Sequence, residues 1–287
     1  MISKELEFYA PNQLTDALAL VGTHGDRAKI LAGGMSLVPS MNLGLVRPEV
    51  IISLNHIPGL DYIRDEGDTL RIGAMARHHQ IQADPLIRRF CPLLSEAASV
   101  VGDVQVRHRG TIGGSIVHAD PAADYLPVMV VADAQFKLQS SKQERVVAAK
   151  EFFLDIMRTS LAPSEVLVEI QIPKLSETSP SAYVRLARVE GNFAIVSAAS
   201  IVRQESGSAR VAIGGVCPTT VLIEVPVGSK GSESGDVLKR IGQTAYDACR
   251  DAYGDLSGDA DYRRAMARVY AQRAVRAAVS GSRSRLS

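Results

Sequence analysis

Two short stretches, Ala32-Gly33-Gly34-Met35-Ser36 and Thr111-Ile112-Gly113-Gly114-Ser115, each set a glycine pair before a serine, about eighty residues apart. Each is predicted to lie beside an apolar strand. Without a Cβ, glycine turns through positive φ and lets backbone approach a ligand closely. Successive exposed N–H groups then form a concave anion site, to which a serine hydroxyl adds a donor. One such stretch is weak; two suggest a diphosphate held from both sides. Neither is G-x-G-x-x-G, and G-x-x-x-x-G-K-[ST] is absent, so the nicotinamide fingerprint and the phosphoryl-transfer loop are both missing.

The chain of 287 residues is long enough for two domains, and its 46% hydrophobic and 22% charged residues are those of an ordinary globular protein. A net charge of +1 and 5% aromatics give no field or stacking platform for nucleic acid. The apolar runs, such as Leu126 to Ala132, are too short to span a bilayer, and the N-terminus does not read as a secretory signal. Cys91, Cys217 and Cys249 are widely spaced without C-x-x-C, which argues against an intrinsic iron–sulfur or zinc site and suits a reducing, cytoplasmic setting.

Along the chain, Asn12 is predicted to cap a helix carrying Leu14, Ala17, Leu18 and Val21, with an exit at His24-Gly25-Asp26. A strand Ala28 to Ala32 enters the first glycine motif, a brief helix covers Leu37 to Met41, and Val50 to Leu54 is a buried strand. Thr69 to Gly73 reads as a strand, Pro92 to Val101 as a helix, and Val104 to Gly110 as the approach to the second motif. Asp120-Pro121 is expected to open an apolar helix to about Ala132, which would put Asp120 and Asp124 on one face. Strands follow at Gln135–Leu138, Glu144–Ala148 and Glu165–Ile172, then a linker near Pro173 to Ser181. An antiparallel sheet is expected from Tyr183–Val189, Ala194–Val202 and Ala209–Gly214. A loop at Val227 to Asp236, two helices (Gly235–Tyr253 and Asp259–Val279) and a frayed tail from Gly281 close the chain.

Three further features have bland readings that outweigh the sharp ones, and a fourth is evenly balanced. His78-His79, expected on one strand, would face opposite ways and pack or meet solvent. The glycine pair in Ile213-Gly214-Gly215-Val216-Cys217-Pro218 reads as a structural turn, and Arg263, Arg264, Arg268, Arg273 and Arg276 as a solvated helical face. Arg107 and Arg109 either offset diphosphate charge or lie in solvent or an interface; both readings stay open.

The segments AGGMSLVP near residue 32, RHRGTIGGSIVHADPAADYLP from Arg107 and EVLVEIQIP from Glu165 together resemble the FAD-binding medium subunit of molybdenum hydroxylases, the xanthine, carbon monoxide and N-heterocycle dehydrogenases. The resemblance runs the length of the chain. It implies an α+β fold, a PCMH-type FAD-binding domain of two subdomains (1–58 and 59–177) followed by a smaller C-terminal α+β domain (178–287). It also implies noncovalent FAD, with the molybdenum cofactor on a large subunit and [2Fe–2S] clusters on a small one. The subunits would assemble as a dimer of heterotrimers, and this chain would relay electrons from the clusters through FAD to an external acceptor. No catalytic residue and no metal ligand is expected of it.

Carried onto this sequence, the resemblance implies that the two motifs hold the pyrophosphate and nearby sugar, with Ile30 and Leu31 leading into the first and Leu37 leading out. Asp124 corresponds to an acidic cofactor contact, Val101 and Leu167 to apolar positions near FAD, and Arg185 and Phe193 to positions near the isoalloxazine. Met35 stands where relatives often have Gln or His, Ser115 where many have Asn, and Phe193 where some have Tyr. The alternative is a stand-alone flavin oxidase of related fold, which would want a covalent-attachment His or Cys near the first motif.

Overall fold

The computed structural model describes residues 6–176, 179–203, 205–228 and 235–281. Parts of the expected linker (177–178), of the loop before the penultimate helix (229–234) and of the tail (282–287) lie outside the described residues. Three main sheets follow one another along the chain.

The first is parallel, in the order β1-β3-β2, from β1 (Glu7–Tyr9), β2 (Ala28–Leu31) and β3 (Val50–Ser53). Helix α1 (Leu14–His24) crosses from β1 to β2 and buries Ala17, Leu18 and Val21 on the sheet, while α2 (Leu37–Asn42) follows the first glycine motif. The N-cap of α1 is Gln13, one residue beyond the expected Asn12, and no side chain caps it.

The second sheet is antiparallel, β4-β5-β10-β6-β7. Its strands β4 (Ile63–Glu66) and β5 (Thr69–Gly73) are followed by six short helices: α3 (His78–Ala83), α4 (Pro85–Phe90), α5 (Pro92–Val100), α6 (Val104–Arg109), α7 (Ile112–His118) and α8 (Tyr125–Val131). Then come β6 (Gln135–Gln139), β7 (Glu144–Ala148), α9 (Ala149–Phe152), a small hairpin of β8 (Phe153–Asp155) and β9 (Arg158–Thr159), and the central strand β10 (Val166–Pro173). The third sheet is antiparallel, from β11 (Ser181–Leu186), β12 (Val196–Arg203), β13 (Ser208–Gly214) and β14 (Val221–Pro226), and is packed on by α10 (Gly235–Ala248) and α11 (Ala260–Ser280).

Several expectations are corrected here. Val104 to Arg109 is a helix, because the Asp103 carboxylate caps it by accepting the Val106 N–H at 2.8 Å. His78 and His79 begin helix α3 rather than sharing a strand, since Gln80 accepts the Arg77 N–H at 2.7 Å. The apolar helix starts at Tyr125, not Asp120: Ala119 takes a left-handed φ of 52° and Asp120 accepts the Ala122 N–H in a separate turn. Asp120 and Asp124 therefore do not share a helical face. The strand Val221–Pro226 joins the third sheet beyond the three expected strands.

The basic face of α11 is solvated only in part: Arg273 and Arg276 are exposed as expected, whereas Arg263 is buried and Arg264 and Arg268 are half-buried. Arg263 is 1% exposed; it donates to the carbonyls of Ile195 (2.6 Å) and Gly215 and pairs with Asp255 at 2.6 Å. Arg264 and Arg268 cover the Tyr246 ring of α10, and Arg273 covers Tyr270. The third glycine pair is indeed a structural turn: Gly215, at φ +78°, donates to the Pro121 carbonyl at 2.7 Å. One core unites the second and third sheets, with every residue of α8 buried between them.

Candidate cofactor site

The β2–α2 and α6–α7 connections bring the two glycine motifs together. A Cβ built on Gly33 would come within 2.7 Å of Gly110 Cα, and closer still to the Arg109 carbonyl. Backbone thus lies on backbone where the motifs meet, which only glycine permits. A Cβ on Gly114 would reach 2.8 Å from Thr111 Oγ1 and 3.8 Å from Ala32 Cβ, so Ala32 also faces the second motif. A polar strap reinforces the junction. Asn55 Nδ2 donates to the Ala32 carbonyl at 2.9 Å, while Arg77 donates to Asn55 Oδ1 at 3.1 Å and to the Arg109 carbonyl.

The motifs do different work. Among the described residues, the N–H groups of Gly33, Gly34, Met35 and Ser36 have no protein acceptor. With Gly34 at φ +78°, they form an open nest of donors. In the second motif the N–H groups are already engaged, which departs from the expected symmetric grip. Ile112 donates to Ala76, Gly113 to Ala74, Gly114 to Thr111 Oγ1 and Ser115 to the Thr111 carbonyl. This stretch opens helix α7 with Thr111 as its N-cap, so its bonds serve the helix start. The Thr111 N–H and the Ser115 hydroxyl remain without a protein partner among the described residues.

A second cluster forms at the other end of α6. Val101, the C-cap of α5, packs against the main core, and Arg107 donates to the carbonyls of Val101 (3.2 Å) and Gly102 (2.9 Å). Both bonds come from Nη1 and hold Arg107 at this end of α6. A Cβ on Gly191 would sit 3.4 Å from the Gly102 backbone, so the loop carrying Phe193 abuts this point. Phe193 is 57% exposed. Arg185 joins the same place by donating to the Asn192 carbonyl at 3.1 Å. Leu167, by contrast, is buried in the main core on β10. Ile30, Leu31 and Leu37 flank the first motif, and Met35 is exposed.

Asp124 does not face open space. Its carboxylate accepts the Tyr183 hydroxyl at 2.5 Å and Arg185 Nη1 at 3.2 and 3.3 Å. Burial pushes its pKa up, while Arg185 and Tyr183 pull it back down. Burial raises the Tyr183 phenol well above its ordinary value, so it remains a donor. Tyr183, Asn55 and Arg77 were not legible as site residues; only the shared strand face of Tyr183 and Arg185, two residues apart, carries a local signal.

His78 lies beneath the junction: a Cβ on Gly110 would reach 2.7 Å from its Cδ2, and its Nδ1 is hydrogen-bonded to the Tyr125 hydroxyl at 2.9 Å. Burial first, then Arg77 and Arg107, lowers its pKa to about 4. The unfolded chain takes up this proton near the ordinary value of about 6.5. Stability therefore falls as pH drops from there to about 4 and levels off below, by up to roughly 3 kcal/mol from this group. A His78→Gln protein is expected to lack that part of the decline when thermal unfolding is compared with wild type between pH 7 and 4. Parallel curves for the two proteins would contradict it.

The sequence matches two family models: the FAD binding domain in molybdopterin dehydrogenase over residues 4–175, and the CO dehydrogenase flavoprotein C-terminal domain over residues 181–278. It is 39% identical to the carbon monoxide dehydrogenase medium chain of Hydrogenophaga pseudoflava, covering 97% of this chain and 98% of that one. It is 40% identical to the 6-hydroxypseudooxynicotine dehydrogenase complex subunit alpha of Paenarthrobacter nicotinovorans, over 68% of this chain and 66% of the relative. The fold superposes on a chain of the H. pseudoflava carbon monoxide dehydrogenase structure with a TM-score of 0.90 at 37% identity, covering 98% and 99% of the two chains. No helix of the described residues is long and apolar enough to cross a membrane. With both halves matched in order and the H. pseudoflava medium chain aligned over nearly its whole length, the chain belongs to the FAD-binding medium subunits of the molybdenum hydroxylases, an oxidoreductase family of PCMH-type α+β fold.

Proposed function

We propose that this chain binds FAD noncovalently along α6 and relays electrons from [2Fe–2S] clusters on a partner subunit to an external acceptor. The observation that carries the reading is the apposition of Gly33 on Gly110 beside four unpartnered N–H groups. That arrangement suits the two negative charges of a diphosphate: donors on one side, and on the other a backbone surface with no Cβ in the way. Helix α6, six residues and so about 9 Å long, separates this junction from the cluster of Val101, Arg185 and Phe193. An extended nucleotide would thus lay its diphosphate at one end of α6 and its ring at the other.

In this assignment Gly33, Gly34, Met35 and Ser36 hold the diphosphate by their amides, and Thr111 and Ser115 add donors from the second motif. Ile112, Gly113 and Gly114 supply a close surface. Ile30, Leu31, Ala32 and Leu37 frame the first motif, and Val101, Phe193 and Arg185 meet the ring. Asp124 and Leu167 support the site from behind. When bound, the flavin supplies the capacity to take electrons singly and pass them on singly or in pairs, and the protein positions it and tunes its potential. The division into 1–58, 59–177 and 178–287 follows the three sheets.

The molybdenum cofactor and the clusters belong to a large and a small partner subunit, as a dimer of heterotrimers. A cytoplasmic location suits the three unpaired, buried cysteines. The test is to purify the chain with whatever accompanies it. A released, unmodified FAD at one per chain, with molybdenum and iron in the co-purifying subunits, is expected. A colourless chain that takes up no added FAD would overturn the proposal.

A further inference from the structure

Helix α8 is pinned at both ends by the third sheet. Asp124 precedes it and meets Tyr183 and Arg185 of β11; Asp133 follows it and meets Arg203 of β12 and Arg210 of β13. The two clamps differ in exposure. The Asp133 side chain is 48% exposed, as an ordinary inter-domain ion pair would be, whereas those of Asp124 and Arg185 are 6% and 10% exposed. Burying such a pair carries a desolvation cost that apolar side chains would avoid, so the Asp124 clamp is a poor choice for adhesion alone.

Arg185 is also only partly used. Its Nη1 serves Asp124 and the Asn192 carbonyl, while its Nε and Nη2 have no acceptor among the described residues. The Arg185 side chain is 10% exposed, and its guanidinium, with one edge fixed and the other open to solvent, stands where Val101, Gly102 and the Phe193 loop converge. Its orientation is set by Asp124, and Asp124 is in turn held by the Tyr183 hydroxyl.

We propose that Tyr183 and Asp124 are positioning residues for Arg185, fixing its guanidinium so that the free Nε–Nη2 edge serves the flavin ring and the C-terminal domain sets the cofactor's potential. This rests on the FAD assignment above, and it gives Asp124 a role different from the cofactor contact the resemblance implies. A fixed positive charge beside the ring favours the more negative, reduced cofactor, so removing or misaligning it lowers the potential.

The test uses the intact complex and the full-length chain, with Y183F, D124N, R185M, R185K and the double variant Y183F/R185M. Three quantities are read: the dissociation constant for FAD added to cofactor-stripped protein, the flavin midpoint potential by dye-equilibrated titration, and thermal unfolding without FAD. R185M is expected to bind FAD about tenfold more weakly or worse, the worth of one charge-assisted hydrogen bond, and to have a more negative potential. R185K recovers part of both. Y183F, which only deletes a hydroxyl, shifts the potential in the same direction by less, and the double variant is no worse than R185M, as expected of residues acting in series. Should D124N not fold, Y183F and the double variant decide. A flavin-loaded wild type whose Y183F variant keeps the wild-type potential, or a double variant whose effects simply add, overturns this inference alone. A wild type that takes up no FAD overturns it together with the flavin assignment.

Discussion

A Gly33→Val protein is expected to emerge without flavin and to regain almost none when FAD is added. The new Cβ would fall 2.7 Å from Gly110 Cα and nearer the Arg109 carbonyl, and both neighbours are main chain. Main chain cannot step aside as the end of a flexible side chain can. The two motifs must separate, and the strap from Asn55 through Arg77 to the Arg109 carbonyl must stretch with them. Overpacking of this kind costs about 1–3 kcal/mol before the methyl groups of valine are placed, and at the upper end that is roughly a hundredfold in affinity. Gly34→Val should also lose flavin by a different route, because Gly34 sits at φ +78°, where a β-branched residue is strained. Retained flavin, titrated against protein after gel filtration, reads both. A Gly33→Val chain with full flavin content would show that the motifs do not need to touch.

The largest loss of stability is expected from Arg263→Met. Methionine keeps much of the volume but none of the donors. The carbonyls of Ile195 and Gly215 would be left unbonded by it, and the Asp255 carboxylate would lose its cation. Arg263 is 1% exposed and stacks over the Tyr253 ring, so water has little room to replace it. Each buried carbonyl left without a donor costs about 1–3 kcal/mol, whereas Asp255, 46% exposed, returns to water at little cost. Denaturant unfolding should show the midpoint falling accordingly, and an unchanged midpoint would mean that the guanidinium is dispensable. Because the Gly215 turn also bonds the Pro121 carbonyl, the damage should spread to the segment leading into α8.

What the sequence disclosed and what it hid divide along physical lines. The glycine motifs were legible because the chemistry of a glycine pair followed by a serine is local, although only the first follows a strand and the second opens α7. Thr69–Gly73, Glu144–Ala148 and the apolar Val166–Pro173 were legible because burial imposes a simple pattern on strands. Helix α6 was missed because six residues with three basic side chains show no apolar period; its only sign was Asp103 at the cap. Asn55 and Arg77 stayed hidden because each is a single polar residue whose partner comes from another sheet region. Arg263 was misread because a basic stripe on a helix normally faces water, and its burial depends on the carbonyls of Ile195 and Gly215 and the Asp255 carboxylate, all distant in sequence or outside the helix. The engaged amides of the second motif could not be seen either, since Ala74 and Ala76 claim two of them from some forty residues upstream.

Helix α8 has one more implication, for how this protein could be taken apart. The family models part near residue 180, which invites expressing residues 1–177 as a flavin module. Such a fragment would keep Asp124, Asp133 and seven buried residues of α8 while discarding Tyr183, Arg185, Arg203 and Arg210, which answer the two carboxylates. Its exposed apolar floor would invite aggregation. The seam drawn by sequence similarity is therefore not a line along which the molecule can be cut.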